Sequence, residues 1–510
     1  MDSIFEYPSH RSYFSHKERR GADDSLSDKA CDDLDCDSFF EFCDRTVSAP
    51  GKQVLFDRLR RPCARENEVL RFEELVSRLG SDPSLREKAE KPLRKLQHPD
   101  AFSIVTLLEE NHPVWSSRQS LLIHIAAILP VSTGLLFWLF PSERWIFGFI
   151  AAILLNMAIH YINKMRMQRY FIAIPQLRLL FRIAATLSRI PEFLHTDPQI
   201  PETLKSCRPL LRKLRFFHFG IRAENDSSMV LFFFTELINF LTLNEVLGVS
   251  KAFRLLDSNR ENIDRVFRFT GTLDLLNSVS HLRGTMEHWS HPEFGNRLEL
   301  RDVRHPLVPD CIPNTLSLQG KSILLTGSNM AGKSTFIRTI GLNLLAAQTL
   351  NTTFAGSAIF PRDIELRTSM RVNDNLLEGK SYYMQEVEQL RDLIHDSAQA
   401  APRLFLLDEI YKGTNTIERI AASKAVLSAL ARDNNYVIAA THDIELTRLL
   451  DDKFELYHFC EQITDNKLSF DYKLHKGMLT RRNAIRILQL AGYPEDIITE
   501  ANRIAEENPG

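Results

Sequence analysis

Residues 323–335 read Ile-Leu-Leu-Thr-Gly-Ser-Asn-Met-Ala-Gly-Lys-Ser-Thr, and no other run limits the fold of the 510-residue chain so strongly. Ile323 to Leu325 reads as a buried strand, and Lys333 to Ala347 reads as a helix. The glycines between them fall in the spacing G-x-x-x-x-G-K-S. Such glycines let backbone N–H groups turn inward around an anion, and the new helix adds the partial positive charge of its N-terminus. The expected ligand is a triphosphate. Gly327, Ser328, Asn329, Met330, Ala331, Gly332, Lys333, Ser334 and Thr335 form the binding loop. Lys333 is expected to reach the β/γ-phosphates, and the Ser334 hydroxyl to ligate Mg²⁺.

A second run supports the first. Leu404-Phe405-Leu406-Leu407-Asp408-Glu409 is an apolar strand ending in two carboxylates. A nucleotide hydrolase needs such acids beside its phosphate loop. Asp408 is assigned to the Mg²⁺ shell, and Glu409 to orienting or deprotonating the attacking water.

The remaining sequence sets the boundaries. The length allows two to four domains. A formal net charge of −2 gives no global basic field, so any nucleic-acid contact has to come from local patches. Cys31, Cys36 and Cys43 cluster without a zinc spacing and read as reduced thiols. Residues 1–37 are polar, acidic in their second half and without a signal-peptide pattern, and are expected to be loose. Thr46 to Leu79 reads as two helices interrupted at Pro62.

Leu121 to Phe140 and Trp145 to Ile162 are uncharged runs joined by Pro141-Ser142-Glu143-Arg144. Each is long enough to cross a hydrocarbon core of about 30 Å. Trp138 and Trp145 flank the turn, where an aromatic belt would sit. Arg118, Lys164, Arg166 and Arg169 lie outside the pair, so positive-inside bias keeps both ends cytoplasmic. The alternative is a buried hairpin of a soluble bundle, with His124, Asn156 and His160 as core polar groups. Further on, Arg208 to Arg222 is basic and aromatic, a segment suited either to phosphate or to a solvated edge. After Leu298 short apolar runs alternate with helical ones, the texture of an α/β sheet with crossover helices.

From Leu298 onward the residues resemble the MutS proteins of DNA mismatch repair. The matching pieces are Arg304-His305-Pro306, the loop with its internal Asn329-Met330, Ser381-Tyr382-Tyr383-Met384, Asp408-Glu409-Ile410 with Gly413-Thr414-Asn415-Thr416, and Ala440-Thr441-His442. The resemblance implies an ATPase site shared between two subunits of a homodimer. In it, Ser381 touches the γ-phosphate of the partner's ATP, and His442 senses or positions the water. It places Cys311 or Ile312 where the family stacks adenine on an aromatic. It also implies DNA as a candidate partner, although no mismatch-reading domain fits before residue 50 and the hairpin takes the place of the family's DNA clamp.

The expected layout is a loose segment at 1–37 and a lever-like helical region at 38–115 and 166–297, interrupted by a transmembrane helical hairpin at 116–165. A MutS-type α/β P-loop ATPase domain follows at 298–479 and a helical dimerisation segment at 480–510. The function read from it is a dimeric, Mg²⁺-dependent ATP hydrolase, held by residues 121–162 in membrane lipid with its ATPase domain cytoplasmic. The alternative is a membrane-bound signalling ATPase that binds no DNA.

Overall fold

The computed structural model describes residues 9–21, 25–62, 66–108, 112, 114–214, 238, 240–318, 320, 322–327, 329–370, 382–411, 414–432, 434–464, 467–478 and 484–507. They divide into two compact units. One comprises 1–23, 45–57 and 71–281, and the other 24–44, 58–70 and 282–510.

The described residues of the first unit are helical. Its organising polar group is Asp274, fully buried on the Arg260–Thr285 helix. The carboxylate accepts from Ser48 N at 2.8 Å, Val47 N at 3.1 Å and Ser48 Oγ at 2.5 Å. These donors sit at the open N-terminus of the Ala49–Arg60 helix, where backbone N–H groups have no partner within the helix.

The expected loose N-terminal segment is instead helical over most of its described length. Ser12–Arg19 forms a helix that buries Tyr13 and Phe14, and the Tyr13 hydroxyl donates to Asp264 at 2.7 Å. In the second unit, Asp28–Leu34 and Cys36–Cys43 form two more helices. The acidic run suggested solvation, yet Asp33 is fully buried. Its carboxylate accepts from Thr368 Oγ1 at 2.7 Å and Met370 N at 3.1 Å. Charge counting treats Asp33 as solvated, whereas the fold uses it to satisfy buried donors.

Helices Ser117–Leu139 and Glu143–Phe171 pack against each other as an antiparallel pair. Ser116 opens the first with a reciprocal cap: Gln119 N donates to its hydroxyl, and Ser116 N donates to the Gln119 side chain. Both helices are long and apolar enough to cross a membrane, and only 17% of the apolar window of each is buried. Ile128, Val131, Phe147 and Leu154 are each more than half exposed. The described buried residues of the second helix are Ala152, Asn156, His160, Asn163, Met167 and Tyr170, and they include three polar groups, Asn156, His160 and Asn163, at i, i+4 and i+7 on one face. Asn163 Oδ1 accepts from Trp115 Nε1 at 3.2 Å, and His160 meets the Phe240 ring edge-on. The face toward the protein thus mixes these polar groups with buried Ile123, Ala126, Ala152, Met167 and Tyr170, while the outward face is apolar. Most of the apolar surface of the pair is exposed in this chain. Of the polar residues expected in such a core, Asn156 and His160 are buried, while His124 is exposed with Nδ1 2.6 Å from Ser120 O.

The second unit holds two large sheets. The strands are β1 (Pro292–Gly295), β2 (Leu298–Val303), β3 (Asn314–Leu318), β4 (Ser322–Thr326), β5 (Ser357–Pro361), β6 (Glu365–Ser369), β7 (Arg403–Asp408), β8 (Tyr436–Ala440), β9 (Phe454–His458), β10 (Glu461–Thr464), β11 (Lys467–Phe470) and β12 (His475–Lys476). Six form one sheet in the order β12-β9-β4-β8-β7-β6, parallel throughout except for the β12 edge. A smaller mixed sheet runs β1-β5-β2-β3, and β10 and β11 make a hairpin. The apolar run at 357–360 is therefore a strand of the mixed sheet, not of the parallel one. Helix Lys333–Leu350 is buried along nearly its whole length. At Gly341 a Cβ would sit 2.6 Å from Leu34 and 2.9 Å from Leu406, so glycine lets the Asp28–Leu34 helix and β7 close onto it.

Candidate functional site

Parallel pairing brings the C-terminal ends of β4, β8 and β7 to one edge of the sheet, the usual location for ligands in open α/β folds. β4 is buried at every position because both its neighbours and both its faces are covered. Gly327 follows it with φ +132°, and a Cβ there would collide with Phe459 O. Asn329–Ala331 makes a 3₁₀ turn, and Gly332, at φ +103°, starts the Lys333–Leu350 helix. Lys333 is fully buried, and its ammonium donates to Gly327 O, folding the loop back on itself.

Ser334 Oγ donates to Asp408 Oδ2 at 2.5 Å. Asp408 Oδ1 is buried and has no hydrogen-bond partner among the described residues. A buried carboxylate oxygen without a donor is costly unless something else neutralises it. Beside a serine hydroxyl at a helix start, it forms a hard-oxygen donor set that fits Mg²⁺.

The next residue, Glu409, has left-handed backbone at φ +53°, and its N–H donates to Ala440 O at 3.0 Å. Its carboxylate lies 2.5 Å from His442 Nε2. Tyr411 is also left-handed, at φ +62°, and its N–H donates to the Glu386 carboxylate. Two non-glycine residues in this region within three positions mark a strained turn, held because the surrounding hydrogen bonds over-determine it. On the other side, Thr441 N donates to Leu325 O at 2.9 Å. The Arg419 guanidinium grips both Asp443 oxygens, at 2.9 and 2.5 Å, fixing the loop that carries His442.

The structure thus brings together Gly327, Lys333, Ser334, Asp408, Glu409 and His442. Ala331 is buried against the loop, while Met330 and Thr335 face outward. Ser328 and Ser381 lie outside the described residues. Cys311 and Ile312 are half-buried, with Arg304 Nη1 donating to Cys311 O at 2.8 Å. Sequence reading missed Tyr472. The nearest atom of its ring lies 3.4 Å from where a Gly332 Cβ would be, and it stays 47% exposed, so one face remains available. Asn314 pins its segment, donating to Tyr472 O at 3.0 Å and accepting from Leu474 N at 2.7 Å. Its only cue in the sequence is an aromatic outside any apolar run.

His305 gives the unit a pH response. Burial, with the Arg338 guanidinium nearby, lowers its pKa from 6.5 to about 4. The geometry agrees, since Nδ1 accepts from Leu307 N at 3.2 Å and must be unprotonated to do so. The unfolded chain takes up this proton near pH 6.5 and the folded one near 4, so the stabilisation is complete above 6.5 and lost as pH falls toward 4. Denaturant unfolding at pH 7 and pH 4.5 is expected to show this as about 2 kcal/mol that the His305→Gln protein lacks. An equal pH slope in both proteins would remove His305 as the cause.

Comparison with known proteins agrees with this geometry. Residues 323–508 match the family described as MutS domain V. The chain is similar to the DNA mismatch repair protein MutS of Thermus aquaticus, 32% identical over 218 residues, 42% of this chain and 27% of that protein. The Aquifex pyrophilus protein of the same name is 31% identical over 252 residues, 47% of this chain and 29% of the relative. That of Methanosarcina barkeri is 28% identical over 334 residues, 61% of this chain and 35% of the relative. The chain thus spans about a third or less of the length of these curated relatives. The phosphate-type loop, the paired acids and His442 all fall inside the stretch that is similar to MutS domain V.

Proposed function

We propose that this chain is a membrane-anchored, homodimeric MutS-like ATPase. The observation that carries the reading is the Ser334–Asp408 pair with its orphaned carboxylate oxygen, one residue before the Glu409–His442 pair. ATP phosphates would lie on the inward-turned amides of the 327–332 loop. Lys333 would exchange its bond to Gly327 O for a β/γ-phosphate oxygen. Ser334 and Asp408 would hold Mg²⁺, which would supply charge neutralisation for the phosphates. Glu409 would hold the attacking water through one carboxylate oxygen. His442, fixed by the Arg419–Asp443 clamp, would keep the other oxygen aimed. Tyr472 offers an exposed ring for the base.

Two further features support assembly and anchoring. Met330 in the loop and Ile417 at the start of the Thr416–Leu430 helix are 67% and 82% exposed, apolar groups that a second subunit would cover. The outward apolar face of the hairpin suits lipid. The relatives' name, DNA mismatch repair protein, motivates a DNA-linked role. A membrane ATPase that binds no DNA is the second reading, favoured by the exposed hairpin. A DNA titration at rising salt separates the two, because phosphate contacts give a steep slope.

Mixing variants tests the shared site. Ser381→Ala and Lys333→Ala proteins, each inactive alone, should regain up to about a quarter of wild-type turnover when mixed, since half the dimers are mixed and each holds one intact site. No recovery with mixed dimers confirmed would refute trans action by Ser381.

A further inference from the structure

The sequence reading left the basic segment at 208–222 without a role, and its first turns line a cleft. Helix Ala173–Leu187 buries Leu177, Leu180, Ala184 and Leu187 on one side. Its opposite face and the turn beyond carry Arg178, Arg182, Ala185 and Arg189, spaced i, i+4, i+7 and i+11, so they share one stripe. Helices Ile200–Ser206 and Arg208–Leu214 form the opposite wall, with Lys205, Arg208 and Arg212. Together they enclose a cleft of about 580 Å³. Among the described residues, six cations line it and no carboxylate does. Among the described residues none of these six side chains has an ion-pair partner. Of the described acids on neighbouring elements, Asp197 pairs with Arg265 at 3.4 Å and Glu192 lines a separate groove with Arg71 and Arg78.

Six like charges around one cleft repel each other, and an anion reverses that cost. Arginine forks match phosphate oxygens two at a time. The lining also includes apolar Phe181, Ala185, Pro201, Leu204 and Leu211. Bare inorganic phosphate would not use these apolar groups, whereas a carbon skeleton would. The volume lies within the roughly 300–1,000 Å³ of small-ligand sites, too small for a nucleic-acid duplex to enter.

We propose that this cleft binds a small organic molecule carrying at least two phosphate groups. Such chemistry comes either as a free metabolite or as a lipid headgroup. The helix from the hairpin continues through Ile172, which has helical backbone angles, into Ala173–Leu187. Arg178 follows the end of the apolar run at Ile162 by roughly 24 Å along that axis, which favours the free form.

The test uses full-length Lys333→Ala protein in detergent micelles, which silences the phosphate loop and keeps this proposal separate from the ATPase reading. Inositol hexakisphosphate is titrated by calorimetry at physiological salt. The expected result is saturable one-to-one binding. It should weaken at least about tenfold in Arg182→Glu/Arg208→Glu and persist in Arg182→Lys/Arg208→Lys. Ala185→Trp fills the cleft without touching a charge and should also abolish binding, which guards against misfolding of the charge-reversed protein. Vesicles containing phosphatidylinositol bisphosphate form the second arm. Binding there alone, lost in the same variants, supports the proposal with a headgroup as the source. No saturable binding in either arm, or equal binding by the charge-reversed and cleft-filled proteins, overturns it. Binding of an oligonucleotide alone, with the same variant dependence, also overturns it and makes the surface a nucleic-acid contact.

Discussion

In Glu409→Gln protein, ATP turnover is expected to fall about 10²–10⁴-fold while ATP still binds. The substitution keeps the size of the side chain and removes only the carboxylate that faces His442 Nε2 at 2.5 Å. The loop proposed to hold the phosphates is left unchanged, because Gly327, Lys333, Ser334 and Asp408 make their bonds without Glu409. The left-handed turn at Glu409 is held by its backbone bond to Ala440 O, which glutamine keeps. Lys333→Ala should behave in the opposite way, losing nucleotide binding itself, since it empties a fully buried cationic position beneath the loop. Nucleotide affinity by fluorescence titration and single-turnover hydrolysis separate these effects. Turnover within about threefold of wild type in Glu409→Gln would take this residue out of the chemistry.

The second large effect concerns the hairpin. Wild-type protein is expected to stay in the membrane pellet through alkaline carbonate extraction. Ile128 and Leu154 lie near the middle of their helices and are 63% and 60% exposed, so their side chains point away from the protein. A lysine at either position would face hydrocarbon, at a cost of about 2.5–3.5 kcal/mol per helix for insertion. The double variant Ile128→Lys/Leu154→Lys should therefore move mostly to the extractable fraction. Lysine at Asn163, buried against Trp115, would instead test packing within the protein. Release of the wild-type chain by carbonate would dismiss the spans and leave the apolar face to a protein partner.

The two predictions differ in how much of their basis was visible beforehand. The loop and the Asp408-Glu409 pair were legible because spacing in a strand–loop–helix unit is local. Covalent geometry places Gly327 and Lys333 whatever surrounds them. The hairpin's two uncharged runs were equally plain. That Asn156, His160 and Asn163 turn inward while Ile128 and Leu154 turn out depends on which face meets the rest of the unit, and the helix period alone does not choose. The acidic N-terminal stretch misled for the same reason. Asp33 acquires donors from Thr368 and Met370, more than three hundred positions later in the chain.

β6 shows the limit within the sheet. Glu365-Leu366-Arg367-Thr368-Ser369 looks too polar for a strand, yet Glu365 and Arg367 pair with each other and with Arg403 and Asp396 along its exposed side. Tyr472, in the connection between β11 and β12, likewise reaches the Gly332 end of the loop with its backbone held by Asn314 on β3.

Residue order alone therefore pointed to the glycine-bracketed bend after β4, the two acids at the end of β7, and two long uncharged stretches. These features depend on near neighbours in the chain, where geometry leaves few options. Folding in three dimensions set which carboxylate oxygen lacks a donor, which arginines crowd one cleft, and which helix face is left without protein cover. Those outcomes turn on partners distant in the chain, and the energy of a buried charge or an exposed apolar face is defined only once those partners are in place.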